Sequence, residues 1–480
     1  MSNPDLSSFP LHNLDVVILA AGKGTRMKSR LPKVLHPLAG RPLLHHVVDL
    51  AYQLQARKVV VVTGHEAAMV EASIPACVPS MASAVPDIVC IRQEPQLGTG
   101  HAVMQALPAC GDDTMVLVLC GDVPLTLPGT LQALLHASQG NQLALLTMEP
   151  LDPTGYGRIV REGDAVRAIV EQKDATPAQR AIREVYCGIL AAPAQRLRSW
   201  LSRVKADNAQ REYYLTDIVR LAVEDGFPVV THCIADTVQV VGVNSPAQLA
   251  ELERAYQRRV ADALLDNGVR LADPARIDVR GVLECGQDVS IDVNCIFEGR
   301  VELGEGVHIG AHCVLRNVVV EAGARIHPFT HAEGSAPEEP VRIGTGALVG
   351  PFARLRPGAK LGADVHVGNF VEVKNSTLAE GAKANHLAYV GDATVGERVN
   401  FGAGSITANY DGVRKHHTHI GADVHIGSNC VLIAPVTIGA GGTIGAGSTV
   451  TRDTPNGTLT VARSRQVSIP GWKRPAKPGP

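Results

Sequence analysis

The segment LAAGKGTRM, residues 19–27, has the residue types expected of a phosphate-binding loop. Gly22 and Gly24 permit a tight turn whose backbone N–H groups can approach an anion, and Lys23 and Arg26 add positive charge. The segment is not a P-loop, because a glycine instead of a serine or threonine follows the lysine. It is not a complete dinucleotide-binding fingerprint either, because a methionine stands at the position of the third glycine. The loop therefore predicts a phosphate nearby without indicating which compound carries it.

Three other positions have side chains that could carry chemistry. Asp122 follows the apolar run 115–120, where a carboxylate can bind a metal ion but is also a common turn residue or helix cap. His386 interrupts a small and apolar segment, and its unperturbed pKa of ~6.5 suits the imidazole to proton removal at neutral pH. A hydrogen-bonded surface histidine is the simpler alternative. For the histidine cluster at 416–419 a metal site is the less favoured interpretation, because acid and cysteine ligands are sparse around it.

The composition excludes several classes of protein. The chain has 480 residues, 45% of them hydrophobic. Its formal net charge of −2 argues against a protein that binds nucleic acid or an anionic membrane. No apolar run reaches the ~20 residues that span a bilayer. The N-terminus lacks the basic start and apolar region of a secretion signal. Ten cysteines without a CxxC pair indicate reduced thiols, so we expect a cytoplasmic protein.

Up to about residue 245, apolar strand runs alternate with amphipathic helices. The predicted strands are 16–19, 58–63 and 115–120, and the predicted helices are 42–51 and 98–107. Continuous apolar strands separated by helices predict a parallel sheet covered on both faces. Ligands of such sheets bind beyond the carboxyl ends of the strands, which is where the glycine loop and Asp122 lie.

Residues 245–268 predict one long helix. Ser245 and Gln248 match a capping box, Pro246 suits the first helical position, and Asn267-Gly268 is a stop signal. We interpret this helix as an arm that connects two domains.

Beyond the helix, aliphatic residues recur every six positions and are often followed by glycine. The three series are Ile291, Phe297, Leu303, Ile309 and Leu315; Ile343, Val349, Leu355, Leu361, Val367 and Val373; and Ile420, Ile426, Leu432, Ile438, Ile444 and Val450. A six-residue repeat predicts a parallel β-helix, in which each repeat forms one side of a three-sided coil and its aliphatic residue points inward. The narrow interior agrees with an aromatic content of only 4%. For most of these residues a purely structural role is the correct interpretation.

Two segments interrupt the repeat. The segment ITANYDG at 406–412 breaks the six-residue phase, and breaks in a solenoid are where binding loops belong. The acidic segment at 334–340 also interrupts the repeat, and the sequence gives no function for it.

In combination, these motifs resemble one bacterial enzyme family. LAAGKGTRM followed by LPK resembles the signature of sugar-nucleotide pyrophosphorylases. The α/β half, the helical arm and the hexapeptide β-helix together resemble the bifunctional N-acetylglucosamine-1-phosphate uridylyltransferases / glucosamine-1-phosphate N-acetyltransferases. The resemblance covers nearly the whole chain, through QLGTGHA (96–102), GDVPL (121–125), DPTGYGRI (152–159), EYYLTD (212–217), RLRPG (354–358), VGNFVEVK (367–374), AGSITANYDG (403–412) and APVTIG (434–439).

The resemblance implies an α/β plus β architecture. Its parts would be a disordered tail (1–13), a Rossmann-like uridylyltransferase domain (14–245), a linker helix (246–272), a left-handed parallel β-helix acetyltransferase domain (273–465) and a C-terminal tail (466–480). It also implies a homotrimer assembled through the β-helix, with small-molecule substrates and without nucleic-acid or membrane partners.

The implied function is the synthesis of UDP-N-acetylglucosamine. Acetyl-CoA would acetylate glucosamine 1-phosphate, and UTP would then couple to the product in a Mg²⁺-dependent step that releases pyrophosphate. These reactions would supply peptidoglycan and lipopolysaccharide precursors.

The resemblance also implies roles for residues of the first half. Arg26 and Lys33 would hold the triphosphate as catalytic cations, and Asp122 and Asn244 would bind Mg²⁺. The implied nucleotide and sugar contacts are Leu19, Ala20, Ala21, Gly22, Lys33, Gln93, Gln96, Gly98, Thr99, Gly157, Glu171, Tyr186 and Asn244. The chain departs from the family at Tyr186, where the family usually has an asparagine that contacts the sugar, because a tyrosine cannot supply that amide. Cys120 is a milder departure from the usual tyrosine.

In the second half, His386 would be the general base that deprotonates the acceptor amine. The implied sugar-phosphate contacts are Arg356, Lys374, Tyr389 and Asn400, and the implied acetyl-CoA contacts are Ala403, Asn409, Tyr410, Ser428, Ala446 and Arg463. Two other functions stay open at this point. The chain could be a monofunctional nucleotidyltransferase whose β-helix only oligomerises or binds an effector, or a non-enzymatic assembly platform.

Overall fold

The computed structural model describes residues 13–77 and 86–475. The chain divides into two compact units, Met1–Tyr256 and Gln257–Pro480, with the division inside a helix. The tail predicted at 1–13 lies outside the described residues except for its last residue, as do residues 476–480 of the predicted C-terminal tail. Within the described ranges, no helix is long and apolar enough to cross a bilayer.

The first unit is built on a mixed nine-stranded sheet. Its strands are Leu14–Leu19, Lys58–Thr63, Asp87–Arg92, Met115–Cys120, Leu143–Met148, Gly157–Glu162, Ala165–Val170, Val185–Pro193 and Val229–Ile234, and a small hairpin joins Pro37–Leu38 to Arg41–Pro42. The α-helices are Leu43–Gln53, Ala67–Ser73, Thr99–Ala106, Pro128–Ala137, Pro177–Arg180, Ala194–Leu201 and Asp217–Glu224. Short 3₁₀ helices are Thr25–Met27, Lys33–Leu35, Ile74–Cys77, Leu107–Ala109 and Thr237–Val240.

The centre of this sheet positions the glycine loop and Asp122. Strand Leu14–Leu19 pairs in parallel with Lys58–Thr63 on one side and Met115–Cys120 on the other. The loop and Asp122 therefore leave the same edge of the sheet from adjacent strands. The antiparallel strand Val185–Pro193 lies next to Met115–Cys120 and makes the sheet mixed. The predicted cover on both faces is confirmed, because separate buried apolar clusters lie on the two sides of the sheet. The prediction of a wholly parallel sheet is wrong, because Val185–Pro193, Gly157–Glu162 and Ala165–Val170 pair antiparallel.

The long helix spans Pro246–Asp266. Its second half belongs to the β-helical unit, where Gln257 forms two hydrogen bonds with the backbone of Val279, at 2.9 and 2.8 Å. The first strand of the β-helix, Arg270–Leu271, pairs with Ser290–Ile291. The first coil therefore begins within the range predicted for the linker.

The second unit is a parallel β-helix, as predicted. One sheet contains Arg270–Leu271, Ser290–Ile291, His308–Ile309, Arg325–Ile326, Leu348–Val349, His366–Asn369, Lys383–His386, Asn400–Phe401, His425–Ile426, Thr443–Ile444 and Leu459–Thr460. The other two sides share one sheet of Ile277–Cys285, Cys295–Leu303, Val314–Val320, His331–Glu333, Val341–Ile343, Arg354–Leu355, Lys360–Leu361, Glu372–Lys374, Thr377–Leu378, Tyr389–Gly391, Ala393–Val395, Ile406–Ala408, Thr418–Ile420, Val431–Ile433, Val436–Ile438 and Thr449–Val450.

The six-residue series fills the interior of this β-helix. Every residue of the three aliphatic series is buried, the most exposed being Leu361 at 4%. Coils approach one another so closely at some corners that only glycine fits: a Cβ on Gly344 would lie 2.5 Å from the carbonyl carbon of Gly362. The recurring glycines therefore follow from the close spacing of coils stacked ~4.8 Å apart.

Candidate functional sites

A cavity of about 820 Å³ opens at the carboxyl ends of the central strands of the first unit. Its lining includes the predicted contacts Leu19, Ala20, Ala21, Gly22, Lys33, Gln93, Gln96, Gly98, Thr99 and Asp122, together with Lys23, Cys120 and Glu212. The predicted contacts Arg26, Gly157, Glu171, Tyr186 and Asn244 are not part of this lining.

Lys33 forms hydrogen bonds with two side-chain oxygens at the rim of the cavity. Its Nζ donates to Asp122 Oδ2 in a short ion pair and to Asn244 Oδ1 at 3.3 Å. The Lys33 and Asp122 side chains are only 15% and 17% exposed, so this pair is screened less than a surface ion pair. The two side chains predicted to bind Mg²⁺ therefore converge on one cation position, although they are 122 residues apart (244 − 122).

The start of the long helix orients Asn244. Gln248 N donates to Ser245 Oγ at 3.2 Å, and Gln248 Oε1 accepts from Asn244 N at 2.8 Å. The capping residues predicted from the sequence are therefore present, but the glutamine reaches one residue further back than in a standard capping box. This bond fixes the backbone of Asn244 and so the direction in which its side-chain oxygen points.

Gly24 is required by the loop geometry. Its φ is +58°, and a Cβ there would lie 2.6 Å from Lys33 Cβ. Lys23 lines the cavity, whereas Arg26 is exposed on the short helix Thr25–Met27 outside the lining. The sequence predicted Arg26 and Lys33 as the catalytic cations and gave Lys23 only a general contribution of positive charge, whereas Lys23 is the one that lines the cavity with Lys33.

We expect Gly24→Ala to destabilise the first unit. The left-handed backbone costs a non-glycine residue about 1–2 kcal/mol, and the clash with Lys33 adds to that. Thermal unfolding followed by circular dichroism should therefore show a lower Tm. Gly22→Ala is the matched control, because a Cβ at Gly22 has no neighbour within 4 Å. An equal Tm for both variants would contradict this account of the loop.

The segment 93–99 forms one wall of the cavity through side-chain to backbone hydrogen bonds. Gln96 Nε2 donates to Ala21 O at 2.7 Å, and Gln93 Nε2 donates to Gly98 O at 2.9 Å. Thr99 Oγ1 accepts from Leu215 N at 3.1 Å. Gln96 thus ties this wall to the glycine loop, Gln93 holds the wall together internally, and both donate through Nε2 and keep the amide oxygen for a ligand.

Glu171 and Tyr186 lie deeper in the unit. Glu171 Oε1 accepts from Thr216 Oγ1 at 3.0 Å, and burial raises the pKa of the Glu171 carboxyl. Tyr186 is 7% exposed, its hydroxyl has no hydrogen-bond partner among the described residues, and burial raises its pKa well above the ordinary value. It pairs with Gly157 on the neighbouring strand. Burial also raises the pKa of Cys120 to about 12, so this thiol in the cavity wall stays protonated.

In the β-helix, one edge carries a column of predicted residues. Lys383, Asn400, His425 and Thr443 pair in register on consecutive coils. Three positions further along the chain from each of these residues lies one member of the column. The column consists of His386, Ala403, Ser428 and Ala446. Backbone bonds connect this column: Gly404 N to His386 O at 3.3 Å, Asn429 N to Ala403 O at 2.8 Å, and Gly447 N to Ser428 O at 2.8 Å. Arg463 extends it by donating to Ala446 O.

The neighbouring coil sets the tautomer of His386. The His386 Nδ1 atom lies 2.8 Å from Asn369 Oδ1, directly above it in register. A carboxamide oxygen only accepts hydrogen bonds, so Nδ1 carries the proton and Nε2 keeps a lone pair. His386 is exposed, so Nε2 can take a proton from a ligand. Asn369 was not predicted, and only the coil register connects it with the histidine.

We expect Asn369→Ala to lower kcat of acetyl transfer about tenfold, because the imidazole then loses the bond that selects its tautomer and orientation. The KM for acetyl-CoA should stay near the wild-type value. Asn294→Ala is the control, since Asn294 also contacts a histidine on the next coil, through Nδ2 at 3.3 Å from His312 Nε2, but lies on coils remote from the column. Equal rates for Asn369→Ala and wild type would refute the positioning role.

The predicted acceptor contacts lie on the side that follows the His386 edge. Lys374 lines a cavity of about 540 Å³ together with Asp392 and Lys415. The Lys374 pKa is lowered, first by its hydrogen-bonding contact with Lys415 and then by burial and the Lys415 charge. Arg356 Nη1 donates to Glu372 Oε1 at 2.8 Å, so this arginine is held by a carboxylate rather than left open.

The 406–412 segment forms hydrogen bonds with side chains on the same side of the β-helix as Lys374. Asn409 donates to Asp392 Oδ2 through a short hydrogen bond and to Tyr389 Oη at 3.3 Å. Tyr410 is 61% exposed and donates to Gly412 O at 2.6 Å. Asn400 lies on a different side of the β-helix, in the sheet that carries His386. One chain therefore does not place Asn400 beside Lys374 and Tyr389.

The histidine cluster is engaged in hydrogen bonds. His416 Nε2 lies 2.6 Å from Asp411 Oδ2, and His417 Nε2 lies 2.9 Å from Thr394 Oγ1. In the part of the chain that the structure describes, no group of three or more histidine, cysteine or acidic side chains could hold a metal ion. The nine cysteines whose side chains the structure describes are all free thiols.

Comparison with known proteins connects both units to transferases. Residues 16–185 match the MobA-like NTP transferase domain, and residues 417–452 match the bacterial transferase hexapeptide (six repeats). The bifunctional protein GlmU of Albidiferax ferrireducens is 70% identical over 97% of this chain and 100% of its own length. Those of Paracidovorax citrulli (67%; 97% and 98%) and Methylibium petroleiphilum (62%; 97% and 99%) are also similar. The solved UDP-glucose pyrophosphorylase complexed with UDP-glucose aligns with 52% of this chain and 99% of its own at 18% identity and a TM-score of 0.42.

The fold, the two cavities and these matches define a two-domain transferase, with a nucleotidyltransferase domain followed by a hexapeptide acyltransferase domain. The resemblance predicted from the motifs is confirmed. The chain belongs to the family of bifunctional GlmU proteins.

Proposed function

We propose that the chain transfers an acetyl group from acetyl-CoA to glucosamine 1-phosphate and then a uridylyl group from UTP to the product. Residues 14–245 would perform the uridylyl transfer and residues 273–465 the acetyl transfer. The supporting observation is that one chain holds two separate polar sites, Lys33 with Asp122 and Asn244 in the first unit and His386 with its column in the second. The synthesis of nucleotide sugar from these cytoplasmic substrates agrees with free thiols and a cytoplasmic location.

In the first unit, the glycine loop and the nearby cations would bind the triphosphate. The backbone N–H groups at 20–24 and the ammonium groups of Lys23 and Lys33 meet phosphate charge. Arg26 would reach the pyrophosphate from the rim of the cavity. Gln93 and Gln96 present amide groups that can pair with the edge of uracil. Glu171 and Gly157 would contact the sugar, and Tyr186 would form the floor beneath it.

Asp122 and Asn244 fit a Mg²⁺ site. Their oxygens converge on one cation, the Lys33 ammonium, and oxygen ligands completed by water and phosphate suit this metal. When bound, Mg²⁺ would neutralise charge on the phosphates during the displacement. We propose that the Lys33 ammonium, which pairs with Asp122 in this structure, would also contribute positive charge to the bound triphosphate.

In the second unit, His386 Nε2 would remove a proton from the acceptor amine. The amine nitrogen forms a bond to the thioester carbonyl carbon, the carbon–sulfur bond breaks, and the proton held by His386 passes to the departing thiolate. Lys374, Lys415 and Arg356 would hold the sugar phosphate at the other end of the Tyr389 strand. The column Ala403, Ser428, Ala446 and Arg463 would carry the extended coenzyme A, because it runs away from His386 at ~4.8 Å per coil.

We also propose that the chain forms a homotrimer through the β-helix. Phe329, Phe352 and Phe370 stack in a ladder on one corner, with ring centroids 4.9 and 5.4 Å apart, yet are 49%, 47% and 57% exposed. A contiguous exposed apolar patch of this kind commonly marks a protein interface. A second copy could supply the Asn400 that one chain does not bring to Lys374. Light scattering should give three times the mass of the chain.

The test is product analysis with glucosamine 1-phosphate, acetyl-CoA, UTP and Mg²⁺, omitting one component at a time. We expect acetylated sugar phosphate without UTP, and UDP-N-acetylglucosamine with pyrophosphate only in the complete mixture. Uridylyl transfer to supplied N-acetylglucosamine 1-phosphate without any acetyl transfer would favour the monofunctional alternative. If neither acetyl transfer nor uridylyl transfer were detected, the result would favour the non-enzymatic assembly platform.

A further inference from the structure

The acidic segment that interrupts the repeat forms a compact loop between the strands His331–Glu333 and Val341–Ile343. Ser335 N donates to Glu339 O at 3.2 Å, and Glu339 N donates to Ala336 O at 3.0 Å. These two bonds close the loop on itself. Its two glutamates, Glu338 and Glu339, are therefore presented on a fixed backbone with their side chains exposed.

Both glutamates line the cavity that contains Lys374 and Lys415. Arg342 and Lys360, which pair with each other on adjacent coils, line the same cavity. Among the described residues, none of these four cations forms an ion pair, and neither glutamate does. The cavity thus has four cationic groups, one carboxylate in its wall (Asp392) and a two-carboxylate rim that belongs to the loop.

This charge arrangement exceeds what a phosphate monoester needs. Lys374 and Lys415 are close enough for each to disfavour the charge of the other. Arg342 and Lys360 add two further positive charges to the wall. Without the loop the cavity would attract any dianion strongly, whereas the rim carboxylates oppose that attraction within the Debye length of ~10 Å.

We propose that Glu338 and Glu339 form a carboxylate rim that makes this pocket select the amine-bearing sugar phosphate over its acetylated product. The inference rests on the proposed acetyl transfer. The acceptor carries an ammonium group that the rim attracts, which offsets the repulsion of its phosphate. Acetylation converts the ammonium to a neutral amide, so the attraction is lost and the repulsion remains. The rim therefore weakens binding of the product more than binding of the acceptor.

The experiment measures acetyl transfer by the full-length chain with N-acetylglucosamine 1-phosphate and, separately, inorganic phosphate as inhibitors. In the variant E338Q/E339Q we expect both inhibition constants to fall about three- to tenfold at low salt, the range for a few partly screened charge interactions. The KM for glucosamine 1-phosphate should fall by a smaller factor. The difference from wild type should shrink at about 0.5 M salt, where screening is stronger.

E305Q is the matched control, because Glu305 is an exposed glutamate on another coil that does not line this cavity. It removes one charge and should leave the inhibition constants at their wild-type values. The proposed role of the rim would be overturned by unchanged inhibition constants in E338Q/E339Q or by an equal effect of E305Q. It would also be overturned if the KM for glucosamine 1-phosphate fell as much as the inhibition constant of the acetylated product. A wild-type chain that transfers no acetyl group would instead refute the proposed function.

Discussion

His386→Ala is expected to lower kcat of acetyl transfer about 10²–10⁴-fold, the range that a positioned general base contributes. The alanine variant lacks the Nε2 lone pair that the bond from Nδ1 to Asn369 keeps available. Uridylyl transfer should continue at the wild-type rate, because its proposed residues belong to the other compact unit. The measurement is thiol release from acetyl-CoA, compared with pyrophosphate release from UTP on the same preparation.

The control for this experiment is His331→Ala, since His331 is also an exposed histidine on a β-helix strand but lies outside the column. It should retain acetyl transfer. If His386→Ala transferred acetyl groups undiminished, the general base would have to be sought elsewhere in the second unit.

The second large effect concerns Asp122. Asp122→Asn should lower uridylyl transfer about 10²–10³-fold, because it removes the anionic ligand proposed for the Mg²⁺ that would stabilise the developing negative charge, and losing one such stabilising contact typically costs that much. The substitution removes the only anionic member of the group formed with Lys33 and Asn244. Acetyl transfer should be unaffected. Pyrophosphate release measured over a Mg²⁺ series would also show whether higher metal concentrations partly restore the rate.

Asp113→Asn provides the comparison for Asp122→Asn. Asp113 accepts from Gln195 at 3.3 Å and lies before the strand Met115–Cys120, whereas Asp122 lies after it. The two aspartates therefore flank opposite ends of the same strand. Loss of activity in both variants would indicate general damage to the sheet rather than a role for Asp122 at the site.

Much of the fold follows from local sequence patterns. The strands predicted at 58–63 and 115–120 have the same bounds in the structure, because continuous apolar runs of this length that are rich in valine favour buried strands. The helix predicted at 42–51 runs from Leu43 to Gln53. The six-residue series places each aliphatic residue inside the β-helix, since one repeat forms one side of a coil.

The site residues that sequence reasoning missed depend on register between distant segments. Asn369 contacts His386 because two coils stack in phase, and no local pattern encodes that pair. The cavity-lining role of Lys415 and of the acidic loop depends on the same stacking. Lys23 is a different case, because its place in the phosphate-binding loop is evident from the sequence, and the structure adds that it lines the cavity.

The column of residues that begins at His386 fixes distances along the β-helix in regular steps. Each coil advances the edge by a fixed ~4.8 Å, so His386 and Ala446 are separated by three such steps, about 14 Å. If coenzyme A binds along the column as proposed, the distance between His386 Nε2 and the far end of the coenzyme changes only in whole coils. Insertions outside the stacked coils, such as 334–340 and 406–412, can therefore vary without changing the distance along the column. A gain or loss of one coil would instead fit the proposed site to a longer or shorter acyl carrier.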